Sequence, residues 1–323
     1  MTRPGWPGQR HPILPSNLTP LGALPARFRR QRVLIIGCGD VGLRVAGQLP
    51  PRLGLMALTS SPERMPALRR ARILPLQGNL DAPATLRRLA GLATRVVHLA
   101  PPPSHDPHWR DDPRTLALLR ALRLRSLPQS LVYGSTSGVY GDCGGARVDE
   151  TWRLAPYTPR AQRRVHAEGQ VRFFGRASAT PVHILRIPGI YATDREGGTP
   201  RGRLLKGTPV LRAEDDVYTN HIHADDLARA CRAALWRGKP QRITNVCDDT
   251  ELLMGDYFDL AADLYRLPRP PRVARSAAHE QLPLMLMSFM SESRRLDNRR
   301  MKQELKLSLR YPTVADGLCR LKT

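Results

Sequence analysis

The run Val33-Leu34-Ile35-Ile36 passes directly into Gly37-Cys38-Gly39-Asp40-Val41-Gly42, and a helical pattern continues to Leu49. A short apolar strand that turns into a helix through Gly-x-Gly-x-x-Gly constrains this chain more than any other stretch. Gly37 permits the tight turn, Gly39 lets backbone approach a pyrophosphate, and Gly42 lets helix and strand pack closely. The helix then aims its first amides and the positive end of its dipole at the phosphates. A triphosphate-binding loop would need Lys-Ser/Thr next, and Leu43-Arg44 stand there. A methyltransferase loop has an acid before the first glycine, where this chain has Ile35-Ile36. Dinucleotide binding is the reading that remains.

The rest of the N-terminal half repeats the strand–helix alternation. Strands are expected at Val33–Ile36, Leu55–Leu58, Ile73–Leu76, Val96–Leu99, Leu131–Tyr133 and Val182–Ile187, with helices near Val41–Leu49, Pro62–Arg70, Ala84–Leu89, Thr115–Leu124 and Arg160–Arg176. The strands are apolar throughout rather than alternating, as in a parallel sheet covered on both faces. The expected fold is α/β: a Rossmann-type doubly wound parallel sheet over residues 31–187, with a smaller C-terminal substrate lobe over 188–323 that completes the sheet in part. In that lobe the pattern is irregular, with strand candidates Pro209–Leu211 and Ile243–Val246 and helices Asp225–Trp236, Gly255–Tyr265 and Arg294–Leu305. Residues 1–30, rich in Pro, Gly and Arg, read as a disordered basic tail.

The 323 residues carry a formal net charge of +23, almost all from arginine; lysine occurs only at 206, 239, 302, 306 and 322. Pairs such as Arg69-Arg70, Arg87-Arg88 and Arg163-Arg164 fall on separate expected helices, so the charge is assigned to solvated helix faces rather than to nucleic acid. No stretch approaches the roughly 18 apolar residues of a membrane span. Five scattered cysteines without Cys-x-x-Cys spacing suggest neither a disulfide framework nor a zinc site, and a reducing cytoplasmic setting fits. The expected partner is a small-molecule substrate, with homodimer formation left open.

Further segments resemble the extended short-chain dehydrogenase/reductases, the NAD-dependent epimerase/dehydratase group. Ser135-Thr136-Ser137-Gly138-Val139-Tyr140-Gly141 is similar to that family's Ser-Ser-x-x-Val-Tyr-Gly, and Leu185-Arg186-Ile187-Pro188-Gly189-Ile190-Tyr191 to its Leu-Arg-x-x-x-Ile-Tyr-Gly. Asn220-His221-Ile222-His223-Ala224-Asp225-Asp226-Leu227 and Asn245-Val246 resemble later family segments, in the family's order. The family's Tyr-x-x-x-Lys couple is not visible. Glu168 matches the acid that follows it, which puts Arg164 at the lysine position and Arg160 at the tyrosine position. Arginine can bind hydroxyls and supply charge, but it does not exchange a proton near neutrality. The resemblance therefore implies an atypical member: an oxidoreductase or epimerase acting on a carbonyl, alcohol or nucleotide-sugar-like substrate, or a non-catalytic NADP(H)-binding sensor or scaffold.

Candidate catalytic residues are Thr136, which matches the family's substrate-orienting hydroxyl, Arg164, and Tyr157, the phenol nearest the missing tyrosine. Thr136 has the alternative of capping backbone amides, and Tyr157 that of packing between Pro156 and Pro159. Expected cofactor contacts are Gly37, Cys38, Gly39, Asp40, Val41, Gly42, Thr59, Ser60, Arg64, Asn79, Leu80, Leu99, Ala100 and Pro101. The second strand ends in hydroxyls with Arg64 beyond, and has no acid for a ribose 2′-hydroxyl, so NADP is preferred and NAD remains an alternative. His98 reads as a core histidine, Tyr140 as structural, Asp225 as a helix cap and His223 as a packing residue. A metal at His221, His223, Asp225 and Asp226 is not expected.

Overall fold

The computed structural model describes residues 31–104, 110–282 and 284–319; the N-terminal tail lies outside them. Seven parallel strands make the central sheet: β1 (Arg32–Ile36), β2 (Gly54–Thr59), β3 (Leu74–Gln77), β4 (Arg95–His98), β5 (Ser130–Thr136), β6 (Val182–Ile187) and β7 (Arg242–Asn245). Their order is β3-β2-β1-β4-β5-β6-β7, so the chain reverses direction across the sheet between β1 and β4. That switch point opens a crevice at the carboxyl ends of the strands, where ligands of open α/β sheets bind.

The continuous apolar strands are explained by cover on both faces. In β1, Val33 and Ile35 join a core with Val45 and Ala46 of helix α1 (Asp40–Gly47) and Leu49 just beyond it. Leu34 and Ile36 point the other way, into a core with Leu118 and Leu122 of α2 (Pro113–Leu122) and Ala167, Val171 and Phe174 of α3 (Pro159–Ser178). Each such fully buried side chain contributes about 1.5–3 kcal/mol relative to exposure. Helix α3 starts where the sequence allows it: Thr158 accepts a hydrogen bond from the Ala161 amide at 3.2 Å, and Pro159 takes the first helical position.

The expected doubly wound fold is present. The strand candidate near Ile243–Val246 is the seventh strand of the main sheet, paired with β6, and helix α4 (Ala224–Arg237) packs beside α1 and beneath β4 and β5. Two local expectations change. Pro83–Leu89 is a 3-10 segment rather than an α-helix. The expected helix Arg294–Leu305 begins as a strand, Arg295–Leu296, because the Arg295 and Asp297 amides donate to Ala146 and Val148 at 2.9 Å; a helix spans only Arg299–Glu304. The remaining C-terminal residues close around a separate core that includes Tyr191, Leu204, Val210, Tyr257, Phe258 and Leu318. This lobe sits beyond the ends of β5 and β6.

Candidate active site

The three glycines do three different things. Gly37 has φ of +83°, and a Cβ there would lie 2.4 Å from the Ala100 nitrogen, so the turn rests directly on the end of β4. At Gly42 a Cβ would come within 3.2 Å of Ile35 and 3.1 Å of the Gly37 carbonyl, so helix and strand pack closely. A Cβ at Gly39 would meet nothing within 4 Å. That open space belongs to a cavity of about 1180 Å³ lined by Gly37, Gly39, Asp40, Val41 and Gly42. The first amides of α1, which have no intrahelical acceptor, lie along it. Backbone donors, a dipole end and absent side chains fit a diphosphate.

The cavity runs from this loop across the strand ends to the C-terminal lobe. Arg64, Leu99 and Pro101 line its near side. Arg64 donates to the Cys38 carbonyl at 2.7 Å, which holds its guanidinium beside the glycine loop. Other expected cofactor residues stand back from the main cavity. Cys38 and Ala100 are buried in the core. The Thr59 hydroxyl bonds the backbone of Ser61 at 3.2 Å, and Leu80 packs against the core. Ser60 and Asn79 border a smaller hollow, where the Asn79 side chain shapes its turn by accepting from the Asp81 amide at 3.0 Å.

On the far side, Ser135, Thr136, Ser137, Arg160 and Arg164 line the cavity. Both readings of Thr136 hold together: its hydroxyl accepts from the Gly138 amide at 3.3 Å and also faces the cavity. One nitrogen of Arg164 donates to the Gly134 carbonyl at 2.8 Å and the Tyr133 hydroxyl at 3.0 Å. This ties the first half of α3 to β5. Tyr133 is fully buried, which pushes its phenol up to about 12. Behind this wall Glu168 and Arg186, each at most 3 % exposed, form a bidentate pair at 2.8 and 3.2 Å, with Ser135 donating to Glu168 at 2.6 Å. Tyr140 is structural, as expected: its ring lies under Arg186 and its hydroxyl donates to Asn245 at 2.7 Å.

Tyr157 is not brought to the site. Its ring is 81 % exposed and does not line the cavity, because Thr158 and Pro159 start α3 with residue 157 on the outside. His98 is a core residue bonded to Thr115 at 3.0 Å, and burial lowers it to about 3. Asp225 does not cap α4; His223 does, accepting from the Asp225 amide at 3.2 Å while stacking on Tyr311. Among the described residues no group of His, Cys, Asp and Glu side chains is arranged to hold a metal.

Sequence reasoning missed most of the lobe end of the cavity. Arg195, Arg203, Lys206, Tyr218, His221, Tyr257, Glu292 and Arg294 all line the same cavity. His221 is buried there against Tyr257, and burial, reinforced by Arg203, lowers it to about 3. Arg294 donates to Glu292 at 2.8 Å and to the Gly141 carbonyl at 2.7 Å. Apart from Tyr257, in the helix Met254–Tyr265, these residues come from loops and short elements after Pro188, where no periodicity announces a site. In total Arg64, Arg160, Arg164, Arg195, Arg203, Lys206 and Arg294 face a cavity whose lining carboxylates are Asp40 and Glu292.

The family model described as the NAD dependent epimerase/dehydratase family matches residues 34–247, and the chain belongs to that family. A structure described as a functionally unknown conserved protein from Silicibacter pomeroyi DSS is 30 % identical, with a TM-score of 0.74, over 90 % of this chain and 97 % of that one. A UDP-glucose 4-epimerase from Thermotoga maritima, solved with UDP-glucose, is 18 % identical with a TM-score of 0.72 over 90 % and 96 %. A UDP-glucuronic acid 4-epimerase variant from Bacillus cereus, solved with a fluorinated UDP-sugar and NAD, is 18 % identical with a TM-score of 0.72 over 90 % and 97 %. Among curated proteins, none matches the chain. No helix of the described residues is long and apolar enough to cross a membrane.

Proposed function

We propose that this chain binds a nicotinamide dinucleotide, preferring the 2′-phosphorylated form, and exchanges hydride with a carbonyl or alcohol of an anionic, nucleotide-sugar-like substrate in a cytoplasmic setting. The observation that carries this reading is the continuity of one basic cavity from the glycine loop to the lobe. Low-dielectric walls lined by one sign of charge concentrate ligands of the other sign. The fold neighbours described with UDP-sugars and NAD support it.

A bound nicotinamide ring would supply the hydride donor or acceptor. Gly37, Gly39 and Gly42 leave room for the diphosphate, and the first amides of α1 donate to it. Arg64, beside the loop and without a competing acid at the end of β2, suits a 2′-phosphate. Leu99 and Pro101 wall the nicotinamide side, and the Thr136 hydroxyl orients the substrate oxygen. Arg164 anchors the helix to the sheet and keeps positive charge at the cavity floor, in the lysine position of the family pattern. No side chain at 160 or 164 can carry the proton.

That last point favours a second reading, a sensor that binds the dinucleotide and does not turn over. Fluorescence titration with NADPH and NADH, followed by a panel of nucleotide-sugars and simple carbonyls, separates the two. Binding with turnover that drops in Thr136→Ala supports the enzyme. Tight binding with no turnover across the panel supports the sensor, and failure to bind either dinucleotide removes both readings.

A further inference from the structure

The segment after the strand Gly189–Tyr191 turns back on itself and meets the first residues of α1 through Asp194 and Arg195. The Ala192 amide donates to the Gly198 carbonyl at 3.1 Å, and the Gly198 amide to the Arg195 carbonyl at 3.0 Å. Gly197 has φ of +62°, and a Cβ on Gly198 would lie 2.5 Å from the Ala192 carbonyl and 2.7 Å from the Arg195 Cβ. The loop is therefore compact enough to fix where Arg195 starts. It is also latched. Arg44 of α1 holds Asp194 at 2.7 Å, Asp225 at 2.6 Å and Asp40 at 3.0 Å, which commits that guanidinium to three carboxylates.

Arg195 is placed differently. It lines the cavity, and its contacts are long: 3.8 Å from Nε to Asp40 Oδ2 and 3.4 Å from Nη1 to the Ile190 carbonyl. Asp40 Oδ2 is shielded from solvent and has no hydrogen-bond partner among the described residues. Asp40 is the first residue of α1, where a carboxylate is favoured by the helix dipole. The same place is where a diphosphate must rest, and there a carboxylate repels it. A planar guanidinium at this point matches a diphosphate better than it matches a carboxylate 3.8 Å away.

We propose that Arg195 is a cofactor-binding residue contributed by the substrate lobe: it grips the diphosphate directly, and Asp40 is its resting partner. This rests on the dinucleotide reading above and adds to the glycine-loop amides a charged contact from the opposite side of the crevice. The diphosphate takes the guanidinium from Asp40, whose charge stays balanced by Arg44.

The test is a binding cycle that needs no substrate. NADPH and NADH are titrated against the full-length protein and the variants Arg195→Gln, Asp40→Asn, the double variant, Arg195→Lys and Gly198→Ala, with thermal unfolding to confirm that each folds. Loss of a charge-assisted contact predicts a tenfold to hundredfold weaker affinity in Arg195→Gln, of roughly equal size for both dinucleotides. The same loss is expected in the Asp40→Asn background. Displacement by ADP should weaken with it, while displacement by adenosine stays unchanged. Arg195→Lys should recover part of the affinity, and Gly198→Ala should lose several-fold by moving Arg195 without altering charge. If the loss disappears in the Asp40→Asn background, Arg195 only screens Asp40 and the proposal is wrong. Unchanged affinity in Arg195→Gln also overturns it. A native protein that binds neither dinucleotide removes the dinucleotide reading itself, a separate failure.

Discussion

The two walls of the cavity are built on different principles. The glycine wall works through what it lacks: Gly37, Gly39 and Gly42 supply a turn, an opening and a close packing, and the ligand-facing groups are main-chain amides. The α3 wall works through side chains, and there Arg160 and Arg164 line the cavity. A site made of backbone is tied to the fold, so it persists as long as the sheet does. A site made of side chains can exchange its chemistry while the helix stays in place. Arg164 illustrates this, since it is held by the carbonyl and hydroxyl at the end of β5 whatever it does for a ligand.

The largest expected effect tests whether the α3 wall is a rigid support. Glu168→Ala leaves the Arg186 guanidinium buried and unpaired, and should cost about 3–5 kcal/mol in urea unfolding. A loss under about 1 kcal/mol would show the wall to be loosely held. Gly39→Val probes the other wall. It should fold normally, because a Cβ there meets nothing, yet bind NADPH at least about 100-fold more weakly, near 2.7 kcal/mol. Retained affinity would mean that the opening is not where the diphosphate sits.

Acidification bears on both regions, because His98 lies in β4 next to the glycine wall and His221 lies at the lobe. Burial lowers His98 and His221 to about 3 and His183 to about 4, against an ordinary value of 6.5. The unfolded chain takes up protons below 6.5 while the folded one resists. Their contribution is therefore full above that value and is lost as pH falls from 6.5 toward about 4 for His183 and about 3 for His98 and His221. Each should cost on the order of 2 kcal/mol by pH 5. Chemical unfolding at pH 7.5 and 5 reads the sum, and His98→Gln should flatten the dependence; an unchanged slope would put its proton uptake elsewhere. Smaller still, Arg64→Ala should weaken NADPH about tenfold and NADH at most about twofold, as one charged contact to a 2′-phosphate implies. Equal losses would assign Arg64 only to the loop carbonyl of Cys38. Tyr157→Phe should change neither binding nor turnover, since its ring is outside the cavity.

The sheet was legible because its strands are apolar on both faces and its turns are punctuated by glycine and proline. The glycine loop was legible because a tight turn and close helix–strand packing require glycine at fixed spacing. The lobe side of the cavity was not. Arg203, His221 and Arg294 are brought together by short elements whose register depends on contacts such as Asn220 Nδ2 to the Arg294 carbonyl at 2.8 Å, and no local pattern encodes these. Tyr157 was misread for a related reason. Adjacency in sequence suggested adjacency to the helix N-terminus, but the Thr158 cap sets the direction in which residue 157 leaves it.

The arginines that line the cavity have a consequence for how the protein meets its surroundings. A guanidinium keeps its proton throughout the range in which proteins stay folded. The attraction that draws an anion inward is thus insensitive to acidity, unlike one built on histidine. Above the range in which Asp40 and Glu292 titrate, a pH dependence of binding then reflects the incoming molecule's own phosphate groups, and comparing a phosphate monoester with a diester as ligand would read that property directly.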